Sequence, residues 1–265
     1  MEHASPGVVL LLILFIGPVL YYIFGARRKK EIYIRRIPGI DAIDQGIGRS
    51  VELGRPLSFT TGLTGISPLL YACLGVLRHV AKKAAVYKCR LFVPSNDPEA
   101  LALVDATLQS AYRSVNKSSQ YDPSTIRYLS DSQFAFAAGY QGLIHRENVG
   151  GAFLFGRFAA ESLILAEAGQ QIDAVQIAAT TSPEQVPFFI TTCDFTLIGE
   201  ELFAAGAYLS KDPVQVGSLR GQDIGKLVVA ALILAGILYA TYLSATGSNA
   251  ENIFTTIFSK NWSDL

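Results

Sequence analysis

The chain has 265 residues, half of them apolar, with 22 basic and 22 acidic side chains and a formal net charge of zero. That balance excludes the broad basic surface on which nucleic-acid binders rely, so no nucleic-acid partner is expected. Cys73, Cys89 and Cys193 stand apart, without a C-x-x-C pair or a histidine at ligand spacing, which excludes a disulfide framework or a zinc site and predicts three buried free thiols.

In chain order the first element is an uncharged apolar run over residues 8–26. It is long enough to cross a bilayer, because a spanning helix needs about 20 mostly apolar residues that pair their backbone groups internally. Pro18 removes one donor inside the run, and a second spanning helix is its natural neighbour. Arg27, Arg28, Lys29, Lys30, Arg35 and Arg36 follow, whereas residues 1–7 carry no Lys or Arg. Basic flanks stay on the cytoplasmic side, against the anionic inner leaflet, so residues 1–7 are expected outside. A cleaved signal peptide would carry its positive charge before the apolar stretch rather than after it.

Residues 31–37 alternate as a short strand does, and residues 40–53 place Ile40, Ile43, Ile47 and Val51 at helical spacing. The Thr60-Thr61-Gly62-Leu63-Thr64-Gly65 stretch reads as a loop, and Ser67-Pro68 opens a helix to about Lys83. Residues 85–93 read as a strand, after which Ser95-Asn96-Asp97-Pro98-Glu99 supplies a cap, a Pro and an acid for a helix over 100–115. The order recurs with a strand at 125–129, a cap at Ser130-Asp131-Ser132 and a helix over 133–145. Beyond Gly150-Gly151, residues 153–168 read as an apolar helix on which Arg157 and Glu161, four apart, pair. A β-rich run at 174–179, an apolar run at 188–192 and a helix over 195–209 complete this part.

The second uncharged run covers 227–243, preceded by Arg220 and Lys226. Its Ala230, Ala231, Ala235, Gly236 and Ala240 are small enough to admit close approach of the first span. Beyond it, Ile253, Phe254, Ile257, Phe258 and Trp262 form one face of a short amphipathic helix.

Alternating strands and helices imply an α/β fold, a mostly parallel sheet with helices on both faces, cytoplasmic and anchored by one transmembrane helix at each end. The predicted organisation is an outward N-terminus at 1–7, a span at 8–26, a cytoplasmic domain at 27–225, a span at 227–243 and an outward tail at 244–265, in the cell membrane. Such a sheet gathers its strand C-terminal ends along one edge, where open α/β proteins bind ligands. The candidate ligand-binding residues are Ser95, Asn96, Asp97, Ser130, Asp131, Thr181, Ser182 and Asp194, with Glu161 facing Ser130 and Asp131. A site of this kind predicts that Asp97, Asp131 and Asp194 converge around a cavity, although each of these residue types also suits a helix cap. No G-x-G-x-x-G or P-loop follows a strand, and His79 and His145 have no nucleophile beside them in a turn context. No catalytic residue, metal or cofactor is therefore expected.

Over residues 156–169, 175–179 and 193–210 the chain resembles a prokaryotic membrane-protein family described as a domain of unknown function. The resemblance implies a prokaryotic origin and an intracellular domain held by membrane spans, and it brings no catalytic residues. Two anchors, much apolar helix surface and no chemical motif predict a non-enzymatic assembly protein. Its partners would be the lipid bilayer, further copies of itself, or subunits of a membrane complex. The alternative is a membrane-tethered sensor or enzyme binding a small anionic ligand, a nucleotide included, at the strand edge.

Overall fold

A computed structural model describes residues 6–27, 38–210 and 213–246. The strand expected at 31–37, the basic residues Arg28, Lys29, Lys30, Arg35 and Arg36, and the tail set at 253–262 lie outside the described residues. The chain divides into two units, one containing both terminal helices and one formed by the central segment.

The central unit runs α2 (Pro38–Glu52), β1 (Leu57–Gly62), α3 (Pro68–Tyr87), β2 (Leu91–Ser95), α4 (Pro98–Ser114), β3 (Ile126–Tyr128), α5 (Gln133–Glu147), β4 (Gly151–Arg157), α6 (Ser162–Gln170), β5 (Val175–Thr180), α7 (Val186–Thr192), β6 (Phe195–Ile198) and α8 (Glu200–Ser210). The expected α/β fold is present. All six strands join one sheet in the order β3-β2-β1-β4-β5-β6, and every neighbouring pair is parallel. A parallel sheet must be covered on both faces, and β1, β2, β4 and β5 are accordingly buried almost without break, the polar Ser58, Thr60 and Thr61 of β1 included. Alternate residues point to opposite faces. Phe59, Phe153 and Phe155 pack with α2, α3, α4 and α8 on one side, while Phe92, Leu154 and Ala178 pack with α5, α6 and α7 on the other. Each fully buried side chain of this size stabilises the fold by about 1.5–3 kcal/mol.

Helix starts follow the expected local chemistry. Ser67 accepts a bond from the Leu70 amide at the head of α3, and Asp97 accepts one from the Glu99 amide at 2.8 Å at the head of α4, each with Pro in the first turn. Ser132 occupies the corresponding position before α5, but the turn is held instead by Ser130, whose hydroxyl accepts from the Ser132 amide.

Several expectations are corrected. The supposed loop at 60–65 begins inside a strand, since all six residues of β1 are buried. Residues 151–157 form β4 rather than part of a helix, so Arg157 and Glu161 do not share a helical face. The apolar run at 188–192 is helical, and residues 195–198, expected to open a helix, are a strand, with the helix starting at Glu200. Residues 85–87 continue α3, and the strand that follows occupies 91–95. Only Cys73 of the three thiols is fully buried, while Cys89 and Cys193 are half-buried.

The terminal unit pairs α1 (Pro6–Arg27) with α9 (Pro213–Ala245), each long and apolar enough to cross a membrane. The close approach runs along Gly217, Gly221 and Gly225, which are buried against Tyr22 and Ile23, Pro18 and Val19, and Phe15 respectively. A Cβ at Gly217 would lie 2.7 Å from the Tyr22 carbonyl oxygen, so glycine permits backbone contact there. Pro18 thus meets the second helix as expected, but at Gly221 rather than among the small residues at 230–240, and Gly236 has nothing within 4 Å.

Candidate functional site

Strand order reverses between β1 and β4, because the chain builds outward to β3 on one side and then returns to add β4, β5 and β6 on the other. At such a switch point the loops leaving the two central strands part in opposite directions and open a crevice at the strand C-terminal ends. Here the two loops at that point are the one after β1, residues 63–67, and the one after β4, residues 158–161.

The two strands end in close contact. Gly62 pairs with Arg157 in the register, after an irregularity between Thr60 and Gly62. Gly62 (φ +58) and Gly156 (φ +153) hold backbone angles that other residues rarely adopt, and a Cβ at Gly62 would lie 2.5 Å from the Arg157 carbonyl oxygen. The Leu63 amide donates to that same carbonyl at 2.9 Å, and the Arg157 amide donates to Thr64 Oγ1 at 2.7 Å. Thr64 in turn donates to the Thr61 carbonyl. Arg157 ends its strand with an exposed side chain, and no hydrogen bond or ion pair engages its guanidinium among the described residues.

From this crossing the neighbouring loops form a connected rim. Gly65 sits against Asp97, whose Oδ2 is 3.3 Å from where a glycine Cβ would stand. Asn96 Nδ2 donates to the Ser130 carbonyl at 2.7 Å, joining the loops after β2 and β3. Gln133, the first residue of α5, donates to Glu161 Oε2 at 2.6 Å, and Glu161 Oε1 accepts from the Ala159 amide at 3.0 Å. Glu161 is fully buried. Ser162 donates to Gln185 at 2.6 Å, which brings in the loop after β5 with Thr181 and Ser182. Tyr128 and Phe134, 45% and 57% exposed, stand at the β3 end of the same edge.

Of the residues predicted from sequence, Ser95, Asn96, Asp97, Ser130, Asp131, Thr181, Ser182 and Glu161 therefore lie on this edge. Ser95 and Asp97 spend part of their bonding capacity on the turn, Ser95 Oγ donating to the Asp97 carbonyl and Asp97 Oδ1 capping α4. Asp194 does not join them. It precedes β6, and its Oδ2 accepts from the Gln176 amide at 2.7 Å near the start of β5, at the opposite edge. There it borders a cleft of about 550 Å³ with Gln176 and Thr192, and burial pushes the neighbouring Cys193 thiol up to about 12. Asp97, Asp131 and Asp194 thus do not converge.

Sequence reasoning missed Thr61, Thr64, Gln133 and the placement of Arg157. The available signal was Leu57 to Phe59 followed by Thr-Thr-Gly-x-x-Gly and the Ser67-Pro68 cap, which together describe a strand, a glycine turn and a capped helix.

These features define a doubly wound, six-stranded parallel α/β domain within a chain that ends in long apolar helices. The chain belongs to the family described as a domain of unknown function, DUF6754, whose profile matches residues 2–251. No curated protein and no solved structure matches it.

Proposed function

We propose that the central unit is a membrane-tethered binding domain for a small anionic ligand that also carries hydroxyl groups, such as a nucleotide. The observation that carries this reading is the exposed, unengaged Arg157 at the β1–β4 switch point, beside the loop that leads into α3. Arg157 supplies the charge, and the backbone amides of Gly65, Ile66 and Ser67, ahead of α3, supply donors to the same group. Asn96, Asp97 and Ser130 on the adjoining rim suit hydroxyls, and Tyr128 and Phe134 offer apolar surface to a ring. Binding rather than turnover is the reading, because the buried carboxylate of Glu161 is already committed to Gln133 and the Ala159 amide.

The tether itself is read from charge. The lysines and arginines after the first apolar run and before the second support residues 31–225 facing the cytoplasm of a prokaryotic cell, with both termini outside. Protease treatment of inside-out vesicles tests that orientation, and a protected central unit would reverse it.

The binding reading is tested on the full chain in detergent, by thermal shift against inorganic phosphate, nucleoside mono-, di- and triphosphates and dinucleotides. At least one of them is expected to raise the melting temperature of the wild type and not of Arg157→Met, with Asp194→Ala responding like the wild type. A panel without any response, or a response that Arg157→Met retains, would remove this function.

A further inference from the structure

We infer that the terminal helix pair assembles with a second copy of this chain through the face of α9 that carries Arg220 and Asp223. The inference is independent of the ligand site and begins with register. Gly217, Gly221 and Gly225 lie against Tyr22 and Ile23, Pro18 and Val19, and Phe15, so the helices are antiparallel and α1's apolar window, Gly7–Gly25, runs beside about residues 215 to 233 of α9. The uncharged part of α9 is residues 227–245. The two apolar runs are therefore displaced along the pair by about twelve residues, about 18 Å at the helical rise.

A hydrocarbon layer is about 30 Å thick and cannot cover both runs while they are so displaced. With α1 centred in the layer, Arg220, Asp223 and Lys226 lie near its midplane. All three are exposed on α9 away from the glycine contact. Ionisable side chains at that depth face protein or a water-filled cavity rather than lipid. With residues 227–245 centred instead, Phe15, Ile16, Leu20, Tyr21 and Phe24 of α1 leave the layer, and these are 43–70% exposed on the pair. In either placement a protein surface is needed beside the segment where α1 meets residues 213–226.

Charge identifies that surface. Arg220, Asp223 and Lys226 follow one another at three-residue steps with alternating sign, and neither Arg220 nor Asp223 has an ion-pair partner among the described residues. A face carrying both signs is complementary to itself. In a two-fold pair it sets Arg220 of one copy against Asp223 of the other, and the reverse contact follows by symmetry. That contact answers the placement with α1 centred in the layer, in which Arg220 and Asp223 lie near the midplane, and it leaves α1 on the far side of α9.

The test is native mass spectrometry of the full chain in mild detergent, supported by crosslinking in vesicles. The wild type is expected as a dimer or a higher multiple of it. Asp223→Arg leaves a face of one sign and is expected to dissociate the assembly, with Asp223→Asn weakening it by about a hundredfold as a milder change. The exchanged chain, Arg220→Asp with Asp223→Arg, restores opposite signs between copies and is expected to regain the wild-type mass, which a defect in folding would not allow. A wild-type monomer in both detergent and vesicles would overturn the inference. So would an assembly that Asp223→Arg leaves intact, or one that the exchange fails to restore.

Discussion

Thr64 Oγ1 accepts the backbone amide of Arg157 at 2.7 Å across 93 positions of sequence, and the same hydroxyl donates to the Thr61 carbonyl. One buried side chain thereby closes the β1 turn and fixes the end of β4, the two strands that flank the switch point. Thr64→Val keeps the shape and removes both bonds. It is predicted to leave the Arg157 N–H without a partner and to cost about 1–3 kcal/mol, whereas Thr64→Ser costs less. Denaturant unfolding of the full chain in detergent measures this, and equal midpoints for the valine variant and the wild type would contradict it.

Gly156 is the stricter requirement at the same crossing. Its φ of +153 and the backbone carbonyl of Thr61, which a Cβ would strike, cannot both be relieved by moving a side chain. Gly156→Ala is predicted to lose roughly 3–5 kcal/mol, at the high end for a single substitution. Gly142 in α5 has nothing within 4 Å of an added Cβ. Gly142→Ala is predicted to gain as much as about 1 kcal/mol from helix propensity alone. Melting temperatures that move in opposite directions for the two variants support both assignments, and a shared direction would refute one of them.

The helices of this domain are legible because their signals are local. Ser67-Pro68, Asp97-Pro98 and the apolar spacing of Ile40, Ile43 and Ile47 place α3, α4 and α2 to within a few residues. β4 was hidden because a strand buried on both faces presents a continuous apolar run, and the only charged residues between residues 152–155 and α6 are Arg157 and Glu161, whose spacing of four suits one helical face. β1 was hidden because Thr60, Thr61 and Gly62 have turn composition, while their burial depends on β2 and β4, which are distant in sequence. Without those two strands the reversal of strand order cannot be derived. Consequently the edge residues were found one by one through their capping chemistry, and Asp194, which has the same chemistry before a strand rather than after one, was grouped with them.

Glu161 and Gln133 form the bond that joins the β4 loop to α5. Glu161→Ala is predicted to cost about 2–4 kcal/mol, because the Gln133 amide and the Ala159 N–H both lose an acceptor in a buried setting. Gln133→Ala removes one of those bonds and is predicted to cost less. If the pair acts as the structure places it, the double variant is less destabilised than the sum of the single ones, with a coupling of about 1 kcal/mol or more in a double-mutant cycle. Strict additivity would mean that the contact does not form in solution.

Burial pushes the Cys73 and Cys193 thiols above their ordinary value of 9.0, Cys193 to about 12, with the Asp194 carboxylate adding to the effect at Cys193. A raised value in the folded state means that the unfolded chain loses these protons first. The resulting stability is complete below pH 9.0 and is lost as pH rises through the folded value, about 12 for Cys193. Between about pH 8 and about pH 10 the two thiols together are predicted to withdraw up to about 3 kcal/mol, with Cys73 the more protected because it has no exposed surface. Denaturant midpoints measured across that interval should fall less steeply for the Cys73→Ala and Cys193→Ala double variant than for the wild type. The wild type should also leave Cys73 unmodified by a thiol reagent at about pH 8 until denaturant is added, since the reagent attacks the thiolate and needs access to it. Parallel pH profiles for the two proteins would show that other groups, among them the buried hydroxyl of Tyr140, which is also raised, govern the alkaline limit.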